Sequence, residues 1–500
     1  MEELGVGKEL LEKIIKRLKV AQKNNEKIII FGDYDCDGVC ATAILWETLY
    51  KLGFDAMPYI PDRFEEGYGF KTLSLEKLKD SKTPMPNLII TVDNGIVAYD
   101  AVKEAKKQDI DVIVVDHHTK GVKKLATSYI LHSTIVCGSA LSWFLSREIC
   151  SVFNYSPVTN HNSLDLVALG TIADQMTLLG INRSLVKYGI EELKQTRRAG
   201  LKALVESAGV KKIGVYEIGY LLAPRINAMG RLAHALDSLR LICTMDPKKA
   251  NDLAKILNQT NIDRQKIVED VLTQTLKLVQ SEQKIIVIDG EFHEGVIGLA
   301  SGKVTEKFYK PSIVISRGEK ISKASARSIF GFNIIEAIKK TGLILEGGGH
   351  PMAAGFSIET EKIAIFSQKI TEISKKLLTD EILEKKLTID LELDFENIND
   401  DLVEELQKFE PTGYGNFPPV FMTKNVGIKE VKPVGTDGKH LKLKLSQDGI
   451  ILDAIYFGGA SNHQSLVTNH LYAVAYTVEQ NTWNGRSQIQ LKIKDIKTSF

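Results

Sequence analysis

The sequence predicts an α/β protein in three folded parts. These are a parallel-sheet domain, a second α/β domain joined to it by a long helix, and a small C-terminal β-barrel. Three observations predict this. Short apolar runs ending in acidic residues alternate with helical stretches through the first part of the chain. From Pro247 to Gln280 there is no glycine and no further proline. From about residue 388 the pattern changes to short alternating segments broken by turns. A chain of 500 residues also exceeds what one hydrophobic core normally supports. The expected boundaries are 1–245, 246–282 for the connector, 283–380 and 381–500.

The N-terminal stretch "MEELGVGKELLEKIIKRLKV" sets apolar residues at helical spacing among charges, which reads as a soluble amphipathic helix and not as a signal peptide. No apolar run reaches the roughly 18 residues that span a bilayer. The five cysteines (36, 40, 137, 150 and 243) form no CxxC pair, so a reducing cytoplasmic setting is expected. A net charge of +1 argues against a wholly basic nucleic-acid binder, although a total says nothing about a local basic groove.

"KIIIFGDYDCDGVCATAIL" comes next. Ile28 to Phe31 suit a strand buried on both faces, and "VCATAILWETLYKLG" has helical length. Asp33, Asp35 and Asp37 therefore fall in a strand-to-helix turn. The pattern recurs in "NLIITVDNG", which ends at Asp93, and in "DVIVVDHHTKG", which ends at Asp116, His117 and His118, with the helical "AYDAVKEAKKQ" between them. Alternation of this kind implies a parallel sheet with right-handed crossovers, and ligands bind beyond the carboxyl ends of its strands. A fourth apolar run, "LDLVALGTIADQM", ends in Asp174 and reads as a fourth strand end on the same edge.

A single Asp after a strand is usually a helix cap or turn former. A calcium loop would want Glu at its twelfth position, where Ile44 stands. Four acidic clusters on one edge, with two histidines among them, exceed what capping explains. Carboxylates this close are tolerated when cations lie between them. A ligand set rich in carboxylate, with imidazole and no thiolate, favours Mn²⁺ or Mg²⁺, expected as a pair, and implies the chemistry of phosphoester hydrolysis.

These residues resemble the DHH phosphoesterase superfamily, whose signature stands here as Asp116-His117-His118. "GDYDCDGVCATAIL", "PDRFEEGYGF", "VDNG", "LDLVALGTIADQMTLLGINRSLVKYG", "APRINAMGRL" and "LNQTNIDRQ" are similar to its RecJ branch of single-strand-specific DNA exonucleases. "HEGVIGLASGKV", "SARSIFGFNI" and "GGGHPMAAGF" resemble the DHH-associated domain, and "EPTGYGNFPPVF" and "HLKLKL" the C-terminal OB-fold. Some relatives carry His where this chain has Phe31, so one potential ligand is absent. The expected metal ligands are Asp35, Asp37, Asp93, His117 and Asp174, with Asp33, Asp116 and His118 as further catalytic residues.

Arg63 and Tyr68 of the loop "PDRFEEGYGF" suit a phosphate contact and a base stack. Arg225 and Arg231 sit six apart in an apolar setting, where a carboxylate or a phosphate would meet the guanidinium. In the second domain, Ser325 and Arg327 lie two apart on a strand and so on one face. Gly347, Gly348 and Gly349 are expected to form a turn whose N–H groups make an anion nest beside His350. The resemblance places these groups across the groove from the metals, near a terminal phosphate. From Lys424 onward ten Lys/Arg face six Asp/Glu, and Tyr456, Phe457, Tyr472 and Trp483 are candidate base-stacking aromatics.

The expected function is a metal-dependent 5′-to-3′ exonuclease that degrades single-stranded DNA, as a monomer without membrane, beside a helicase and a single-strand-binding protein. Two other readings stay open. One is a phosphodiesterase for short oligonucleotides or cyclic dinucleotides, and the other a non-catalytic DNA-binding scaffold.

Overall fold

The computed structural model of the chain describes residues 1–80, 85–155, 163–279, 282–435, 438–460, 466, 470–483 and 486–498. It divides into two compact units: Met1–Met176 with Ser184–Lys385, and Thr177–Arg183 with Lys386–Phe500. Among the described residues no helix is long and apolar enough to cross a membrane.

The first unit begins with α1 (Lys8–Lys23), which buries Ile14, Ile15, Leu18 and Ala21 on one stripe, as its periodicity requires. A five-stranded sheet follows, made of β1 (Ile28–Phe31), β2 (Ala56–Tyr59), β3 (Leu88–Val92), β4 (Asp111–Asp116) and β5 (Tyr129–His132). All neighbours are parallel and the order is β2-β1-β3-β4-β5. Chain order therefore reverses between β1 and β3, which makes the crevice beyond their carboxyl ends the expected ligand position. Helices α2 (Cys36–Lys51), α3 (Thr72–Asp80), α4 (Tyr99–Lys107), α5 (Gly138–Val152) and α6 (Leu164–Ala173) complete the layers.

One element differs from the sequence expectation. Residues 164–173 form a helix, not a strand, so Asp174 is presented by a helix C-terminus. Residues Asp165 to Ile172 are all buried. A helix enclosed on every side carries no polar stripe, and a short apolar run of this kind reads equally well as a buried strand. Its start is pinned by Arg198, whose Nη2 donates to Glu47 on α2 at 2.9 Å and whose Nε lies 3.5 Å from Asp165.

The helix Pro247–Leu278 is continuous over 32 residues, about 48 Å at 1.5 Å per residue. Its first half buries Ala250, Leu253, Ala254 and Leu257, and Val268 and Val271 join the core of the next domain with Ile286, Ile288 and Val296. That domain holds a mixed sheet of β6 (Ile286–Gly290), β7 (Ser312–Ser316), β8 (Ile321–Arg327), β9 (Ile344–His350) and β10 (Ala353–Glu359), ordered β6-β7-β8-β10-β9.

The second unit is a closed barrel. Strands β11 (Leu391–Glu392), β12 (Phe421–Val434), β13 (His440–Gln447), β14 (Ile450–Tyr456), β15 (Leu471–Trp483) and β16 (Arg486–Thr498) run β11-β12-β13-β14-β16-β15, and β12 also pairs with β15. Leu441, Leu443 and Leu445 point inward, and the intervening lysines outward. Tyr472 is 2% exposed in this core, which removes it as a base-stacking surface, whereas Phe457 is 53% exposed. The side chain of Trp483 lies outside the described residues. The short segment Thr177–Arg183 belongs to this unit: Leu178 N–H donates to the Tyr414 carbonyl at 2.8 Å, and Arg183 to the carbonyls of Lys408 and Glu410.

Candidate metal centre

The acidic cluster lies at the crevice between β1 and β3. Asp35 is the N-cap of α2 and accepts from Gly38 N–H at 2.9 Å. Asp37, in the first turn of that helix, is buried and accepts from the N–H groups of Gly138 (2.7 Å) and Ser139 (3.0 Å) at the start of α5. Asp93 ends β3 in the left-handed conformation, φ 62°, which turns its carboxylate into the crevice. Asp174 follows α6. His117 Nε2 lies 3.0 Å from Asp93 Oδ1, 3.6 Å from Asp174 Oδ2 and 4.0 Å from Asp37 Oδ2.

Glycine makes the crowding possible. A Cβ on Gly38 would stand 2.6–2.7 Å from Asp33, one on Gly138 would stand 2.6 Å from Asp93, and one on Gly170 would stand 2.2 Å from Asp37. Side chains at these three positions would occupy the space of the carboxylates. Nothing in the local pattern marks Gly138 and Gly170, because they lie far in the chain from the carboxylates they accommodate.

Among the described residues, three groups offer ligand atoms within 4.8 Å of one another: Asp33, Asp35 and Asp93; Asp37, His117 and Asp174; and Asp93, His117 and His118. Asp93 belongs to two of them, which suits a carboxylate shared by two ions. Buried oxygens of Asp33 and Asp93 and the Nε2 of His117 have no hydrogen-bond partner. Burial, followed by the neighbouring carboxylates, pushes the Asp93 and Asp33 carboxyls well above the usual range and Asp174 up to about 8. Burial holds the His117 imidazole below its ordinary value, leaving it neutral. Unpartnered buried oxygens in mutual repulsion, beside a neutral imidazole, fit hard divalent cations.

Asp116 behaves differently. Burial pushes its carboxyl up, but His118 Nδ1 at 2.8 Å, His118 N–H at 3.0 Å and Ile96 N–H at 2.8 Å outweigh this and hold it below the usual range. Its oxygens are taken by protein donors, so it orients His118. Burial lowers the His118 pKa, yet Asp116, then Asp174 and Asp33, raise it to about 9. The ring nitrogen Nε2 lies 3.1 Å from the Tyr68 hydroxyl, so Tyr68 stands at the edge of this centre. Phe31 is fully buried against Tyr59 and Phe70, packed into the core on its strand.

Beside the acids is a cluster of guanidinium groups. Arg63 lies over the Tyr34 ring at 5.1 Å. Arg231 donates to the Gly295 carbonyl at 3.1 Å, and burial, then repulsion from Arg63, Arg264 and Arg327, lowers its pKa to about 10. Arg225 bonds Asn258 and the Leu221 carbonyl. None of these five arginines pairs with a carboxylate among the described residues. Arg264 was not singled out by the sequence reading. Its signal lay in "LNQTNIDRQ", where Asn258, Asn261 and Arg264 recur at helical spacing. The helix Ala223–Leu232 carries Arg225 and Arg231 and also braces the site: Asn227 accepts from Cys36 N–H at 2.7 Å, and a Cβ on Gly230 would lie 2.6 Å from the Tyr34 carbonyl.

In the second α/β domain, Ser325 and Arg327 share one face of β8, with Arg327 Nη1 3.3 Å from Ser325 Oγ. Residues 344–350 are an exposed edge strand, so Gly347, Gly348 and Gly349 form neither a turn nor a nest. In a strand, successive N–H groups point to opposite sides and cannot converge on one anion. The register shows another use. Gly355 pairs with both Ser325 and Gly348, and a Cβ on Gly348 would meet nothing. The row beside Ser325 is thus a side-chain-free floor, bordered by the row Arg327, Ala353 and His350.

Comparison with known proteins follows the same division. Residues 27–171 match the DHH family N-terminal domain, 281–376 the DHHA1 domain and 389–495 the RecJ OB domain. The chain is 30% identical to the single-stranded-DNA-specific exonuclease RecJ of Haemophilus influenzae over 97% of its own length and 90% of the relative's. It is 33% identical to the RecJ of Bacillus subtilis over 97% of its length, and spans 63% of that relative. Among solved structures, RecJ of Thermus thermophilus in complex with Mn²⁺ superposes with a TM-score of 0.85 at 27% identity, over 98% of this chain and 72% of that one. A further crystal structure, of an exonuclease RecJ bound to manganese, matches at 32% identity with a TM-score of 0.66, over 75% of this chain and 96% of that one. With three domains matched in order and an acidic centre at the sheet crevice, the chain belongs to the RecJ family.

Proposed function

We propose that this chain is a metal-dependent exonuclease that hydrolyses single-stranded DNA from the 5′ end to mononucleotides in DNA repair and recombination. The observation that carries the reading is the convergence of Asp33, Asp35, Asp37, Asp93, Asp174 and His117, in which one buried oxygen each of Asp33 and Asp93 and the Nε2 of His117 have no hydrogen-bond partner. Asp35, Asp37, Asp93, His117 and Asp174 are the metal ligands in this reading, and Asp33 lies beside them. Divalent ions held by these residues would supply charge balance at the scissile phosphate and would acidify the attacking water. His118, kept cationic by Asp116, is placed to hydrogen-bond a phosphate oxygen as negative charge grows on it. Arg63, Arg225, Arg231 and Arg264 neutralise the strand on either side, and Tyr68 offers a ring at the edge.

A cytoplasmic monomer fed by a helicase and guarded by a single-strand-binding protein is the setting this substrate implies. The deciding assay is digestion of 5′-labelled single-stranded DNA with Mn²⁺, beside a blunt duplex of the same sequence. Release of labelled mononucleotide from the single strand, with the duplex nearly untouched, is expected. Equal rates on both, or no cleavage of either, would sink the reading.

The barrel adds affinity for the strand. Lys432, Lys442, Ile455 and Lys492 form one cross-strand row over four strands, and Lys492 also lies 5.2 Å from the Phe457 ring centre. Replacing Lys442 and Lys492 with Ala should weaken binding and lower the slope of log K against log salt by about 0.7 per lost phosphate contact. An unchanged slope would remove this row from the binding face.

A further inference from the structure

We propose that Tyr216 and Tyr220 form a shelf on which bases of the bound single strand stack; the inference rests on the nucleic-acid reading above and extends it to a surface outside the metal centre. The two rings protrude from the turn that precedes the helix Ala223–Leu232. They are 61% and 70% exposed, with centroids 4.9 Å apart and planes inclined by 24°. Among the described residues neither ring is part of the buried core. Two large aromatic faces held parallel in water are a cost to the isolated chain and an advantage when another flat ring adds to the stack.

The turn is built to hold them there. Residues Ile218–Leu222 are π-helical, a wide conformation that is uncommon in helices and concentrated at functional positions. Ile218 and Leu222 are buried, so the tyrosines are left on the outer side. Gly219 sits directly on α6: a Cβ there would lie 3.5 Å from Ile172, two residues before Asp174. The shelf is thereby seated on the helix that delivers a metal-centre carboxylate.

Charge selects the occupant. Arg225 begins at the next turn and donates to the Leu221 carbonyl at 2.6 Å, which fixes it to the same backbone. Arg264 is close enough for the two guanidiniums to repel, and burial, then Arg225, lowers its pKa. Its buried Nε has no hydrogen-bond partner. A surface pairing flat aromatic rings with uncompensated guanidinium groups matches a polymer of bases and phosphates, and a single strand alone exposes the base faces. Continuity through Arg225 with the arginine cluster of the groove commits the shelf to the substrate strand and not to a protein partner.

The test is equilibrium binding of a 3′-labelled oligothymidylate, followed by fluorescence anisotropy in EDTA so that no cleavage intervenes. Tyr216→Ala and Tyr220→Ala should each weaken binding about 5- to 150-fold, the range for one lost base–aromatic stack. Tyr216→Phe and Tyr220→Phe should bind within about threefold of the parent, because the ring carries the contact and not the hydroxyl. A strand of the same length with consecutive abasic residues should bind the unmodified protein correspondingly more weakly, a result that needs no variant. On that strand the alanine variants and the parent should be equal. Alanine variants that bind the intact strand as tightly as the parent, or lose as much on the abasic strand, overturn the shelf. Failure of the exonuclease reading shows separately, as a parent protein that binds the strand in EDTA but leaves it uncut with Mn²⁺.

Discussion

Replacing Asp93 with Asn should reduce Mn²⁺-dependent cleavage of single-stranded DNA by at least about 10²–10³-fold, the scale of losing one electrostatic element of a hydrolytic site. The same change should raise the melting temperature of the protein in EDTA. Asp93 adopts φ 62°, and Asn accepts that conformation where Ala would be strained, so the substitution isolates the charge. In EDTA, Asp33, Asp35, Asp93 and Asp174 repel within a buried crevice, and each carboxyl has a raised pKa. The sign of the pH dependence follows. A folded state that holds protons the unfolded chain has released loses stability as pH rises between the two values. For Asp174 that window runs from about 4 to about 8. Without metal, the parent should melt at progressively lower temperature across this range, and Mn²⁺ should reverse the loss at the upper end. Asp93→Asn should flatten the slope and respond less to Mn²⁺. Full activity of the variant at saturating Mn²⁺, or a lower melting temperature in EDTA, would remove Asp93 from the centre.

Legibility in the sequence followed how local each feature was. The runs ending at Asp33, Asp93 and Asp116 were readable because a strand buried on both faces is a continuous apolar run, and the acids follow directly. The same property misled at Asp174, since Leu164–Ala173 is equally apolar and is a helix. Gly347–Gly349 failed for a related reason: three glycines carry no periodicity, and their strand pairing is set by β10 and by the open floor beside Ser325. Tyr472 stood out as an aromatic in a mildly basic stretch, but it is in phase with the buried Val474 and Tyr476 and is enclosed when β12 closes on β15. Gly138 and Gly170 were invisible because their role is to leave room for carboxylates that arrive from elsewhere in the chain. Arg264 was legible as part of a helix and not as part of a cluster, which exists only after Ala223–Leu232 and Pro247–Leu278 pack together.

Arg327→Ala should cost about 10- to 150-fold on 5′-phosphorylated single strands and much less on strands ending in a 5′-hydroxyl. A charge-assisted hydrogen bond contributes roughly 1.5–3 kcal/mol, and each 1.4 kcal/mol is a factor of ten. The local geometry suits a dianion. Arg327 and Ser325 point from one face of β8, and a Cβ on Gly298, at the start of the helix Ile297–Phe308, would lie 3.0 Å from Ser325 Oγ and 3.3 Å from Arg327 Nη2. A guanidinium, a hydroxyl and the positive end of a 12-residue helix therefore meet at one point. Burial lowers the Arg327 pKa, and no carboxylate among the described residues compensates it, so an incoming phosphate relieves a cost already present in the fold. Arg327→Lys keeps the charge and loses the planar fork, which places it between the parent and Ala. The 5′ direction is part of the proposed function and is what this comparison of strand ends tests, since the backbone geometry does not orient a polymer. An equal loss on both strand types, or products released first from the 3′ end, would show that the terminal phosphate binds elsewhere in the arginine cluster.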